Sequence, residues 1–472
     1  MTQPSPTQPL ATDVPRARIA VASMVGTTIE FYDFYVYATA AVSVFPRLFF
    51  PPGNPTAALL ASLATFGLAF AARPLGSVLF GHFGDRVGRK ATLVSSLLVM
   101  GIATFAVGLL PTYTHVGVMA PALLAVMRFA QGLALGGEWS GAALLATESA
   151  RPGRRGWMAM WPQLGAPLGF LLANALFLLL INVLDLDDIQ SSADSAFYAW
   201  AWRIPFLLSA VMVAVGLYVR LKLTETPVFA RSMQRGEPVK SPFSTLLRGS
   251  WDRVIIGAFV VLSAFTMFYI VTTWVLSYGT APRAPHGSGL GFGYVEFLRL
   301  QLIAVLFFAG TIPVAGLLVD RFGRRRTLLA VSVGILGYGA AFTPLLAQGH
   351  ASRGAVLAFL VIGMTLTGLA YGPMSAVLPE LFPTNVRYSG SGVSFNIASI
   401  MGAAVAPFIA TWLTVEYGVG YVGMYLIGMA LLSLVAQLVM PETKSSSLDA
   451  SDTTGIHEEP TVEPQSSVKP AV

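Results

Sequence analysis

The chain has 472 residues, of which 55% are apolar and only 11% charged, with 46 Gly, 30 Pro and no Cys. Soluble domains carry about a quarter charged residues, and disordered chains combine low hydrophobicity with high charge, so both classes are excluded for most of the chain. Without Cys there is no disulfide, no Cys-ligated metal and no Cys nucleophile, and five scattered His make no metal cluster. The net charge of +6 sits in short basic loops between apolar runs, which points to a membrane and away from nucleic acid.

Residues 1–15 are rich in Pro and Thr and lack the features of a cleavable signal. A disordered cytoplasmic N-tail is expected over 1–17. Twelve apolar segments follow, at about 19–45, 57–83, 91–110, 118–147, 157–184, 202–221, 254–278, 294–319, 327–346, 355–379, 389–413 and 421–440. Each reaches the ~20 residues that carry a helix across the hydrocarbon. They predict an all-α integral membrane protein: an N-terminal six-helix bundle over 18–221, a central cytoplasmic loop over 222–253 and a C-terminal six-helix bundle over 254–440. The Ser-, Thr-, Glu- and Pro-rich stretch 441–472 reads as a disordered cytoplasmic tail. With both termini inside, 22 of the 29 Lys and Arg fall on the cytoplasmic side and 4 outside, which sets the expected orientation. The outer loop 185–200 is acidic.

The two halves repeat. The pattern GxxxDRxGR occurs at Gly81, Asp85, Arg86, Gly88 and Arg89, and again 235 residues later at Gly316, Asp320, Arg321, Gly323 and Arg324. Glu148 precedes Arg155 by seven, and Glu380 precedes Arg387 by seven. Glu225-Thr226 and Glu442-Thr443 close the two halves. Topology marking explains the basic residues but not the spaced Gly and Asp. We read the set as a cytoplasmic latch. Its Gly residues let helix ends approach, its Asp residues meet basic groups or a helix N-terminus, and Glu148 and Glu380 are candidate partners of Arg89 and Arg324. Parallel repeats of this kind place a binding site between the halves, near the midplane.

These loops, with twelve helices and a long central loop, resemble the major facilitator superfamily over about residues 18–443. A closer resemblance is to its metabolite:proton symporter branch. It rests on Ile29-Glu30-Phe31-Tyr32-Asp33, Ala72-Arg73-Pro74-Leu75-Gly76, Arg128-Phe129-Ala130-Gln131-Gly132, Gly136-Gly137-Glu138-Trp139, Trp202-Arg203-Ile204-Pro205-Phe206 and Glu380-Leu381-Phe382-Pro383 with Val386-Arg387. The resemblance implies proton-coupled carriage of shikimate, aromatic acids, di- or tricarboxylates, or proline and betaine. The stretch Val44 to Pro51 looks nearest the shikimate-carrier-like subgroup.

Five ionisable residues lie well inside the first half: Glu30, Asp33, Arg73, Arg128 and Glu138. A midplane charge costs about 2.5–3.5 kcal/mol on insertion scales, so these must pair, protonate or line a wet cavity. Rise per residue brings Asp33 and Arg128 to the same depth, which makes them the first expected pair. Withdrawing Arg128 would let Asp33 take a proton, the requirement for coupling; a permanent structural pair is the alternative. The resemblance agrees, since related symporters pair a helix 1 carboxylate with a helix 4 arginine. Glu30 is a second coupling candidate, and Tyr37, one turn above Asp33, a donor to it. Arg73 suits a substrate carboxylate, with Glu138 as its resting partner. Gln131, Gln163, Tyr269, Trp274, Tyr371 and Asn396 complete the candidate substrate site.

The expected function is proton-coupled uptake of a small organic acid by alternating access, in the inner (cytoplasmic) membrane. Its partners would be an organic anion or zwitterion, protons and the lipid bilayer, with no nucleic acid and no cofactor, and it would act as a monomer. A compatible-solute symporter, a uniporter or proton antiporter, and a non-transporting sensor are the alternatives. No nucleophile–base pair, phosphate loop or metal ligand set speaks for an enzyme.

Overall fold

The computed structural model describes residues 16–53, 55–184, 196–221, 246, 248–283 and 288–445. Residues 1–15 and 446–472 of the tails, most of the central loop with Glu225-Thr226, and residues 185–195 of the acidic loop lie outside them, as do the side chains of Asp85, Arg86 and Arg89.

Every regular element among the described residues is helical. The long helices are α1 Arg16–Ser43, α2 Pro55–Arg86, α3 Arg89–Leu109, α4 Met119–Glu148, α5 Arg155–Val183 and α6 Ile204–Leu221 in the first half. The second half has α7 Trp251–Thr280, α8 Tyr294–Phe322, α9 Arg324–Ala340, α10 Arg353–Glu380, α11 Arg387–Glu416 and α12 Val419–Val439. Ten of the twelve spans are long and apolar enough to cross a membrane on that ground alone. α1 falls short with Glu30 and Asp33 in its middle, and α9 because it runs only 17 residues before a short continuation at Phe342–Leu346.

Small residues set how closely the helices pack. A Cβ on Gly136 would lie 2.1 Å from the Arg73 carbonyl oxygen, and one on Gly76 would lie 2.0 Å from that of Leu133, so α2 and α4 touch backbone to backbone. Gly165 and Gly169 bring α5 equally close to Thr27 and Phe31 of α1. There Pro162 and Pro167 interrupt the α5 ladder, and the Thr27 hydroxyl donates to the Pro162 carbonyl at 2.7 Å. The Gly before Arg in each repeat has a backbone reason. Gly88 and Gly323 sit at φ 124° and 97°, ahead of α3 and α9, where an L side chain is strained.

Two helices carry π turns, Ile270–Trp274 in α7 and Ile400–Ala404 in α11. The Gln301 amide of α8 donates to the Thr272 carbonyl at 2.7 Å, satisfying backbone loosened by the first of these. The halves meet along α2–α11 and α5–α8, and at one end α4 and α5 close on the Met374–Glu380 segment of α10.

Candidate functional site: a charged cavity above a latched end

A cavity of about 30 Å³ lies between the halves. Its walls are mostly rings: Phe31 and Phe34 of α1, Trp139 of α4, Phe265, Phe268 and Tyr269 of α7, Tyr371 of α10 and Phe395 of α11. Glu30 and Arg73 are its two charged lining residues. The Arg73 guanidinium lies 4.4 Å from the centre of the Phe70 ring and 5.2 Å from that of Phe34, against the Tyr269 side chain, and its Nε has no partner. One Glu30 oxygen and the Tyr371 hydroxyl are also buried without a partner. Two opposite charges, both short of hydrogen bonds, therefore face one aromatic chamber.

Behind this wall, apart from Glu148 at the latched end, the first half buries three carboxylates and three guanidiniums: Glu30, Asp33 and Glu138, with Arg73, Arg128 and Arg220. Asp33 is fully buried and accepts 2.6 Å from the Ser209 hydroxyl of α6; its other oxygen is unpartnered. Arg128, equally buried, donates 3.0 Å to the Gln131 side chain and stacks on Tyr37 at 4.1 Å, Phe66 at 4.8 Å and Phe34 at 5.0 Å. Depth brings Asp33 and Arg128 level, yet they form no ion pair here. Asp33 is turned to α6, Arg128 to the rings of α1 and α2. Gln131 stands between them, donating 2.8 Å to Thr104, which lies beside Asp33.

Several expected contacts are corrected. Glu138 pairs with Arg220 of α6 and not with Arg73, and Arg220 also donates to the Leu93 carbonyl. By sequence Arg220 stands at the very end of the sixth apolar segment, next to the basic central loop. It is in fact buried against Gly26, whose missing side chain makes the room. Tyr37 bonds Thr65 at 2.8 Å, not Asp33. Trp274 stacks on Tyr278 and Phe342, away from the cavity, because its face of α7 packs on the end of α9. Gln163 and Asn396 tie the halves together and do not line the cavity. Gln163 accepts from Trp139 at 3.0 Å and donates to the Tyr371 carbonyl at 2.7 Å, and Asn396 donates to the Gly136 carbonyl at 3.1 Å. The rings of Phe31, Phe265, Phe268 and Phe395 were not among the sequence candidates. Nothing in a local pattern separates a cavity-facing Phe from a lipid-facing one.

At the end where the repeats lie, the halves are locked. Arg324 grips Glu380 with two bonds of 2.9 and 3.0 Å and reaches Asp320 at 3.4 Å. Asp320 accepts the backbone N–H of Gly156 and Trp157, at 2.8 and 2.9 Å, so a second-half carboxylate caps first-half helix α5. Arg155 lies 3.5 Å from Glu380, and Arg387 lies 3.6 Å from Glu148. The Glu and Arg of the two repeats thus pair crosswise, each with the other half. Gly316 passes 2.9 Å from the Gly156 carbonyl and Gly81 2.9 Å from the Ser389 hydroxyl, measured from an added Cβ, so these glycines let the helices cross. Arg321 lies outside the latch, stacked on Phe322. Glu442 accepts the N–H groups of Arg324 and Arg325 and caps α9.

Removing the Asp320 carboxylate removes two charge-assisted bonds between the halves, each worth about 1.5–3 kcal/mol. Asp320→Ala is expected to speed labelling of a single Cys placed at Ala166, in a chain with no other, by about ten-fold or more. Unchanged labelling would show that this contact does not hold the end shut.

The sequence model of the Major Facilitator Superfamily matches residues 24–404. The inner membrane metabolite transport protein YhjE of Escherichia coli (strain K12) is 53% identical over 434 residues, covering 92% of this chain and 96% of its own. The shikimate transporter of the same strain is 36% identical, covering 90% and 95%. The solved structure of the proton:xylose symporter XylE, bound to 6-bromo-6-deoxy-D-glucose, superposes with a TM-score of 0.72 at 16% identity, over 92% of this chain and 98% of that one. At that identity the likeness is one of fold. Family match, relatives and twelve-helix architecture agree: the chain belongs to the major facilitator superfamily, and it is a membrane transporter, not an enzyme.

Proposed function

We propose that the protein is a proton-coupled symporter that brings a small, ring-bearing organic monocarboxylate into the cell. The observation that carries this reading is Arg73: a cavity-lining guanidinium with an unpartnered Nε, beside Glu30 and among eight aromatic rings. A guanidinium binds a carboxylate through paired N–H groups, and the rings offer faces to a flat or cyclic body. A single lining guanidinium suits a monoanion better than a di- or tricarboxylate. Glu148 being paired with Arg387 of the other half, the cluster behind the cavity has three buried acids against three buried arginines, and an incoming carboxylate leaves it one negative charge in excess. A proton on Asp33, one of whose oxygens is unpartnered, restores the balance. The relative named a shikimate transporter supports a cyclic carboxylate. In this reading the latched end faces the cytoplasm with both termini, and the protein acts as a monomer in the inner membrane. The aromatic walls also favour a second reading, a quaternary ammonium zwitterion such as betaine, held by cation–π contacts.

Thermal stabilisation of the purified protein by a ligand panel separates the classes. A ligand at 100 times its Kd adds about 2.7 kcal/mol. Shikimate or an aromatic monocarboxylate is expected to stabilise the protein, and dicarboxylates and tricarboxylates are not. Stabilisation by betaine alone would select the second reading, and by tricarboxylates alone would overturn both.

A further inference from the structure

A second cavity lies on the flank of the second half, at the latched end. It is a groove of about 410 Å³ between α8, α9 and α10. Leu318 and Phe322 of α8, Val331 of α9, and Leu366 and Leu369 of α10 make it apolar, and Arg326 stands at its mouth. Leu317, Phe322, Val333 and Ile362 are exposed on the same stretch of helix surface, so the groove opens toward the bilayer. Whatever fills it is a component of the membrane.

Arg326 has no role in the latch. At the repeat offset of 235 its counterpart is Ala91, so the first half makes its loop without this residue. Arg324 is held by Glu380 and Asp320, and the N–H groups of Arg324 and Arg325 by Glu442. The Arg326 side chain, by contrast, is exposed and makes no hydrogen bond or ion pair with a described residue. It stands in the first turn of α9, where the positive end of the helix disfavours a cation and favours an anion. A second guanidinium, that of Arg321, lies next to the groove, 5.3 Å from the ring of the lining residue Phe322. The nearby carboxylates are committed, Asp320 to α5 and Glu442 to α9. The mouth is therefore cationic and unneutralised, at the level where lipid headgroups lie.

We propose that this groove is a binding site for an anionic glycerophospholipid, with its phosphate on Arg326 and one acyl chain between α8, α9 and α10. The experiment is native mass spectrometry of the full-length protein in detergent, titrated with phosphatidylglycerol, phosphatidylethanolamine or phosphatidylcholine. Phosphatidylglycerol is expected to be retained preferentially. Arg326→Gln should weaken that retention about five-fold, the worth of one cation near an anionic headgroup. Ala330→Trp, which fills the groove, should abolish it. Arg325→Gln removes an equal charge outside the groove and should leave it unchanged. Equal retention of the three lipids, an Arg326→Gln protein that binds like wild type, or an Arg325→Gln protein as weak as Arg326→Gln would each overturn the site. Arg326 is exposed and Arg325 half-buried, with no side-chain hydrogen bond or ion pair to a described residue at either, so the variants are expected to fold, which melting alongside wild type verifies.

Discussion

Arg73→Gln is expected to abolish uptake at working substrate concentrations, with an apparent affinity two to three orders of magnitude weaker. Two costs combine. The substrate carboxylate loses its paired donors, and Glu30 is left facing the chamber without the neighbouring positive charge. Truncating one member of a buried charged contact costs about 2–5 kcal/mol in binding. Arg73→Lys keeps the charge but not the planar fork, so it should recover part of the affinity, with the defect mostly in KM. Initial uptake rates over a substrate series measure both. Wild-type KM in Arg73→Gln would remove Arg73 from the site. Loss of kcat alone would make it a residue of the moving parts.

The second large effect concerns Arg220. Arg220→Met should destabilise the protein by about 3–5 kcal/mol, because it strands the fully buried Glu138 carboxylate, whose second oxygen already lacks a partner. The cost is one of desolvation, so removing both charges should restore most of it. Arg220→Met with Glu138→Leu is expected to melt near the wild type, and the cycle should give a coupling of several kcal/mol between neighbours in contact. If the double variant were as unstable as the single one, the pair would matter for packing on Gly26 and Leu93, not for charge. Transport by the double variant is a separate question, since Glu138 and Arg220 both act electrostatically on Glu30.

What could be read in the sequence follows a physical division. Membrane spans declare themselves through length and apolarity, a signal weaker in α1, which carries Glu30 and Asp33, and in α9, which runs only 17 residues. The residues that join the halves at the repeat end, among them Asp320, Glu148, Glu380, Arg155 and Arg387, carry a mark in the sequence through backbone geometry and recurrence. Gly88 and Gly323 require φ values that only glycine adopts easily, and the Glu–Arg pairs repeat at a near-constant offset. Their crosswise pairing was not legible, because spacing along a chain carries no information on which half supplies the partner. Depth arguments place Asp33 and Arg128 level but cannot give the direction in which each turns, and here Ser209 takes one and a ring cage the other. Arg220 was hidden by its position at the end of a span. A basic residue there normally marks a cytoplasmic loop, and only the packing of Gly26 reveals the space that buries it. The aromatic chamber was hidden for a related reason. Phe and Trp are as welcome in lipid as in a cavity, so their types do not tell which way they face.

The central claim is that a proton enters with the substrate. Proton influx into liposomes holding the purified protein, reported by an internal pH dye, tests it most directly. An inward gradient of the monocarboxylate that stabilises the protein should acidify the lumen. Asp33→Asn should bind that substrate and yet produce no acidification. Substrate accumulation without acidification in the wild type, or acidification undiminished in Asp33→Asn, would contradict the account.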